Sequence, residues 1–329
     1  MPQREALIRN WLSDLWGTRE YDLALASGDA SFRRYFRATL AGGETRIVMD
    51  APPEKEDCRP FVDVTTRLER TGVHVPHIHA RDLERGFLLL EDLGDRLYLG
   101  ELDPDTADLL YADAISALLQ IQRGDAKGLP LYDRELLERE MALFPDWLLG
   151  THLGLELDTG ERRMLDDTFE HLVRNALAQP QVLVHRDYHS RNLLLTDENN
   201  PGIIDYQDAV LGPISYDLVS LLRDCYIAWP PKRVRDWVEL YTQQAVAAGI
   251  LPAEDAPGMP RWLDLMGAQR HLKAAGIFAR LKHRDGKPGY LADIPRTLGY
   301  VIAAGQQQPE LADLAAFIEC RLMPRLEVA

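Results

Sequence analysis

Val184-His185-Arg186-Asp187-Tyr188-His189-Ser190-Arg191-Asn192-Leu193-Leu194-Leu195 is a polar loop between two short apolar runs, and Gly202-Ile203-Ile204-Asp205-Tyr206-Gln207-Asp208 follows closely. Four residues separate Asp187 from Asn192, and Asp205 ends the next apolar run. Any one of these side chains alone reads as a turn residue bonding its own backbone. In this order and hydrophobic frame they read together. A loop between short strands sets Asp187 beside Asn192, with Asp205 opposite them. Asn192 then offers a neutral oxygen and Asp205 a charged one to Mg²⁺, which favours one or two carboxylates completed by substrate oxygens and water, and Asp187 stands beside them.

On either side of this loop the hydrophobic period changes. Leu7, Ile8, Trp11, Leu12 and Leu15 fall on one face of an amphipathic opening helix. Residues 21–26, 32–40 and 46–51 read as strands, separated by Ser27-Gly28-Asp29 and Ala41-Gly42-Gly43. A short helix is expected around 61–70, then strands at 78–82 and 86–91. Beyond Asp92-Leu93-Gly94 the chain turns helical, with apolar spacing of three and four over 104–123, 134–149, 161–178, 217–248, 259–284 and 309–322. Only 182–184, 193–196 and 203–204 interrupt as short apolar runs. A β-rich front and a helical back predict an α+β protein of two lobes, residues 1–93 and 94–329, joined near 92–95.

Asp, four residues, Asn, then Asp after a short strand is the order of the catalytic loop and metal-binding segment of protein kinases. The segment resembles more specifically the motif of the aminoglycoside phosphotransferase and choline kinase family, which shares the two-lobed protein-kinase-like fold. Pro213-Ile214-Ser215-Tyr216-Asp217-Leu218 is similar to that family as well. The resemblance implies transfer of the γ-phosphoryl group of ATP to a hydroxyl. Asp187 would orient the acceptor and take its proton, and Asn192 and Asp205 would hold Mg²⁺. Asp217 would brace the loop, a helix N-cap being the plainer version. His185 is expected beneath the loop as a hydrogen-bonded core histidine, rather than as a catalytic or metal-binding group. From Asp205 to Pro213 the chain is too short for a phosphorylatable activation loop.

Ser27-Gly28-Asp29-Ala30-Ser31-Phe32-Arg33-Arg34-Tyr35 stands where such kinases cover the phosphates, though it holds one glycine rather than three. Backbone N–H groups of Ala30, Ser31 and Phe32 are the candidate phosphate donors; an ordinary hairpin is the alternative. Leu88-Leu89-Leu90-Glu91-Asp92-Leu93-Gly94 resembles the hinge, with backbone groups near Glu91 and Leu93 reading the adenine. The third strand departs from the family. It lacks the lysine that contacts the phosphates; Met49 or Asp50 stands near its place, and Arg33, Arg34 and Arg46 are the nearest cations.

Residues 27–36, 48–53, 203–209 and 269–281, with Gly289-Tyr290-Leu291 and Ile294-Pro295-Arg296, are similar to one branch of the family. These are bacterial anomeric kinases of N-acetylmuramate and N-acetylglucosamine in peptidoglycan recycling. The resemblance implies an α-1-phosphate product, a precursor for cell-wall synthesis. An anomeric hydroxyl is comparatively acidic, so a weakly basic carboxylate suffices. Arg191 and Arg223 are candidates for the muramate carboxylate, and Tyr226, Trp229 and Trp262 for stacking on a sugar, against solvated arginine and core packing. Two other readings stay open: a kinase of an aminoglycoside, choline or homoserine, and a non-catalytic pseudokinase.

With 46% hydrophobic and 27% charged residues the 329-residue composition is globular. A net charge of −15 argues against a nucleic-acid surface or a polybasic membrane patch. Cys58, Cys225 and Cys320 fit no disulfide framework and suggest a reducing compartment. Charged residues within 1–16 interrupt any signal-peptide core, and no run is long enough to span a bilayer, so the cytoplasm is expected. No obligate protein partner is implied.

Overall fold

The computed structural model describes residues 2–28 and 32–326. Helix α1 (Pro2–Trp16) precedes β1 (Tyr21–Gly28), β2 (Arg34–Leu40) and β3 (Thr45–Asp50); α2 (Arg59–Thr71), β4 (Ile78–Asp82) and β5 (Phe87–Glu91) follow. The five strands form one antiparallel sheet in the order β1-β2-β3-β5-β4. Side chains alternate across a strand. Val48, Phe87 and Leu89 therefore pack with Ile8, Trp11 and Leu12 of α1. Met49, Leu88 and Leu90 join Phe61, Val64 and Leu68 of α2. With both faces covered, β5 is apolar from Phe87 to Leu90 rather than alternating. Gly72 stops α2 at φ 86° and returns its N–H to Glu69 O.

The chain leaves the sheet through a pinned turn. Arg37 Nε donates to Asp92 Oδ2 at 2.6 Å and its Nη2 to Gly94 O at 3.2 Å, while Gly94 adopts φ 87°. The second lobe then contains α3 (Tyr98–Glu101), α4 (Ala107–Gln122), α5 (Arg134–Met141), a π-helix (Phe144–His152) and α6 (Thr159–Leu177). Four short strands follow: β6 (Gln181–Val184), β7 (Leu193–Leu194), β8 (Gly202–Ile203) and β9 (Val210–Pro213). Next come α7 (Ser215–Leu222), α8 (Pro231–Ala247), α9 (Met259–Asp285), α10 (Ile294–Gly305) and α11 (Ala312–Phe317). The 27-residue α9 runs through the interior and carries Gln269, Arg270, His271 and Lys273 as buried polar residues. A Cβ at Gly276 would lie 2.4 Å from Leu143 O, so only glycine lets α9 close on the start of the π-helix.

The two-lobed α+β expectation holds, with local departures. The expected helix over 217–248 is two helices, because Pro230-Pro231 can begin a helix but not continue one. Residues 134–149 are α5 and then the π-helix, which Pro145 enters near its start. β9 pairs with β6, and α10 occupies a stretch where no element was expected. Among the described residues, no helix is long and apolar enough to cross a membrane.

Candidate active site

β6 pairs with β9, whereas β7 pairs with β8. The polar loop therefore crosses from one ribbon to another, and Asp205 leaves the second ribbon beside it. Asn192 Nδ2 donates to Asp187 O at 3.0 Å and to Asp205 Oδ2 at 3.4 Å. These bonds orient the amide and leave Asn192 Oδ1 as its remaining acceptor. Asn192 N also donates to His189 O at 2.9 Å, and Ile204 N to Asn192 O at 3.1 Å. Arg186 and Asp205 hold φ 78° and 66°, left-handed values that cost a non-glycine residue roughly 1–3 kcal/mol each. The loop is strained at both ends of its chemistry, so the surroundings must enforce it.

They do so from below. Buried Asp217 accepts the amides of His185 at 2.7 Å and Arg186 at 2.9 Å. Burial pushes its carboxyl up to about 7, against the pull of those two N–H groups. His185 Nδ1 accepts the Asp187 amide at 3.3 Å, and its Nε2 donates to Ile204 O at 3.1 Å. Nδ1 can accept only in the neutral ring, and burial lowers its pKa to about 4. Glu140 of α5 is shared by Arg186, Lys273 Nζ at 2.9 Å and Tyr132 Oη; Lys273 also donates to Tyr216 Oη at 2.9 Å. Asp224 accepts Ser190 N at 3.0 Å, Ser190 Oγ at 2.5 Å and Tyr226 N at 3.0 Å. Sequence reasoning missed Glu140, Lys273 and Asp224. Glu140 is 46 positions from Arg186, Asp224 34 from Ser190 and Lys273 57 from Tyr216, with no spacing to flag them.

Burial opposes ionisation of Asp187, but Lys273, His189, Arg270 and Arg186 together hold its carboxyl below the usual range. It is a carboxylate at neutral pH. Further along the loop lie His189, whose ring meets Tyr226 edge-on at 5.4 Å, and Arg191, stacked 4.6 Å over Tyr226 and 5.5 Å from Tyr290. Arg223 and Trp229 sit differently. Arg223 Nη2 is bonded to Asp264 at 2.6 Å, and Trp229 Nε1 to Tyr111 Oη at 2.9 Å within a cluster that includes Trp237. Trp262 packs against the core near Gly258.

Of the candidate phosphate-covering residues, Ala30 and Ser31 lie outside the described residues, and Phe32 is 62% exposed under Lys55. Met49 is buried in the core, and Asp50 is fully buried between Arg4 and Arg34, with Nε–O distances of 2.8 and 3.0 Å. Neither occupies the role of a strand lysine, and Arg34 is committed to Asp50. Arg46 turns to Glu44 and Thr45 O. Arg33 is different: its Nε is 3.9 Å from Glu56, and Asp205 and Asp208 are close enough to act on its charge. Glu91 N donates to His77 O at 2.9 Å, and its carboxylate faces His74. A cavity of about 440 Å³ runs along Glu91–Arg96 and Leu195–Glu198, but none of its lining residues belongs to the Asp187 cluster.

Among the described residues, no group of three or more His, Cys, Asp and Glu forms a metal cage. Asn192 Oδ1 and the Asp205 carboxylate instead make a sparse, hard-oxygen pair. That fits Mg²⁺, which takes its other ligands from phosphates and water. The phosphotransferase enzyme family matches residues 22–256. A Pseudomonas putida protein named N-acetylmuramate/N-acetylglucosamine kinase is 52% identical over 297 residues, covering 90% of this chain and 87% of that one. A Pseudomonas aeruginosa protein of the same name is 49% identical over 310 residues, 94% and 91% of the two chains. The crystal structure of ADP-bound aminoglycoside phosphotransferase APH(2'')-Ib superposes with a TM-score of 0.60 at 16% identity, covering 90% of this chain and 97% of that one.

Proposed function

Because the chain belongs to the phosphotransferase enzyme family, we propose that it transfers the γ-phosphoryl group of ATP to the C1 hydroxyl of N-acetylmuramate and N-acetylglucosamine. The observation that carries this reading is the convergence of Asp187, Asn192 and Asp205 through the two bonds of Asn192 Nδ2. Asp187 holds the acceptor O–H and receives its proton as the new O–P bond forms and the bond to the ADP oxygen breaks. Its low basicity suits an anomeric hydroxyl. Asn192 Oδ1 and Asp205 would hold Mg²⁺, which when bound neutralises charge on the donor phosphates.

Residues 1–93 carry the nucleotide side in this reading, and 94–329 the catalytic and acceptor side. Arg33, anchored by Glu56 and facing Asp205, takes the place of the absent strand lysine on the donor phosphates. Arg191 and Tyr226, rather than Arg223 and Trp229, face the sugar, since the latter two are already engaged. ATP as donor and three free cysteines fit the cytoplasm. The test is a panel of N-acetylmuramate, N-acetylglucosamine, kanamycin and choline with Mg-ATP, with the product located by phosphorus NMR. A sugar 1-phosphate is expected. Phosphorylation of kanamycin or choline alone, or of nothing, would overturn the reading.

A further inference from the structure

Arg270 is an exception among the buried charges. Its residue is only 6% exposed, yet its single hydrogen bond among the described residues runs to the Cys225 thiol at 3.8 Å, and its Nε is buried without a partner. Burying a guanidinium with no counter-charge in contact is among the costliest arrangements a fold can hold. Lys273, one turn along α9, is paired with Glu140 and Tyr216. Asp50, Glu140 and Asp264 each have a cation in contact. The groups that act on its charge are Cys225, Tyr216, Asp187 and Asp224; among the described residues none forms an ion pair with it, and Asp224 is already engaged by Ser190 and Tyr226.

Its position is also specific. Cys225 lies between Asp224, which grips the catalytic loop, and Tyr226, which faces His189 and Arg191. The charge of Arg270 acts on both Asp187 and His189, and His189 Nδ1 is likewise buried without a partner. Among the described residues, two buried nitrogens without a bond, Arg270 Nε and His189 Nδ1, therefore belong to side chains whose charge acts on Asp187. A guanidinium presents its N–H groups as a planar fork that fits a carboxylate with two parallel bonds.

We propose that Arg270 receives the carboxylate of the acceptor, so that it selects N-acetylmuramate, which carries one, over N-acetylglucosamine, which does not. This rests on the acceptor reading above. The test measures kcat/KM for both sugars, and for the methyl ester of N-acetylmuramate, with the wild type and with Arg270→Lys and Arg270→Met. The wild type is expected to prefer the free acid over its ester by about tenfold or more, the scale of a charged hydrogen bond. Arg270→Met should lose most of that preference and lower the muramate-to-glucosamine ratio by a similar factor; Arg270→Lys should fall between. Equal losses for both sugars would overturn the proposal and assign Arg270 to Asp187 or the transferred phosphoryl group. If Arg270→Met does not fold, the wild type still decides, because equal turnover of acid and ester overturns the proposal. If the wild type phosphorylates neither sugar, the acceptor reading falls and this one with it.

Discussion

Behind the catalytic loop, Glu140 is shared among Arg186, Lys273 and Tyr132, Asp217 holds two amides, and Asp224 holds Ser190 and Tyr226. On the other side, among the described residues, Arg270 bonds only to a thiol, His189 Nδ1 has no bond, and Arg191 rests on aromatic faces. The contrast separates two uses of polarity. The first set, joined by ion pairs and amide bonds although Arg186 Nε has no partner among the described residues, holds Arg186 in its left-handed conformation and so aims Asp187. In our proposal the second set takes up a ligand at Arg270, whose buried guanidinium has no counter-charge in contact.

The contrast can be broken most forcefully at its centre. Asp187→Asn keeps the shape of the side chain and removes the base, so turnover should fall about 10³-fold with little change in melting temperature; turnover near wild type would mean another group takes the proton. On the satisfied side, Glu140→Gln strands two buried cations and should cost about 3–5 kcal/mol in urea unfolding. If Glu140→Gln were as stable as wild type, the supporting role of the network would be wrong.

Acidification probes the same side. His185 and His271 titrate near 4 and 3 in the fold, lowered by burial, against about 6.5 unfolded. The unfolded chain therefore binds protons first, so their contribution is complete above pH 6.5 and shrinks as pH falls toward 4. The loss should be about 3 kcal/mol at pH 4 from His185 alone. Because Asp217, pushed up to about 7, gains stability over the same range, the check is the His185 ring itself followed by NMR: it should stay neutral to about pH 4, and a ring that titrates near 6.5 would contradict the neutral, doubly bonded His185.

Smaller effects sharpen the front of the site. Arg33→Met should raise the KM for ATP about 10–100-fold, as expected for one lost charged contact to phosphate. An unchanged KM would leave the missing lysine without a substitute. Trp229→Phe should alter kcat/KM for the sugars by no more than about twofold; a larger fall would bring Trp229 back to the acceptor.

Local pattern carried much of this into the sequence. The Asp187, Asn192 and Asp205 spacing lies within one ribbon-and-loop unit, so a single stretch records it. The sheet was readable for the same reason, since each strand alternates or is bounded by glycines. What escaped was long-range or set by proline. The break at Pro230 lay in plain view, yet apolar spacing on both sides suggested one helix. Glu140, Lys273 and Arg270 acquire their roles only when α5 and α9 pack beneath the loop, and no spacing encodes that meeting. Arg223 looked like a ligand candidate because Asp264, its partner, is 41 positions away.

Calorimetric titration of ADP, with and without Mg²⁺, onto wild type, Asp187→Asn and Asp205→Asn tests most directly whether Asp205, with Asn192, holds the ion while Asp187 is left for the acceptor. Mg²⁺ should tighten ADP by about tenfold or more in the wild type and in Asp187→Asn, and should lose that effect in Asp205→Asn. A wild type indifferent to Mg²⁺, or an Asp205→Asn protein that keeps the full gain, would contradict the assignment.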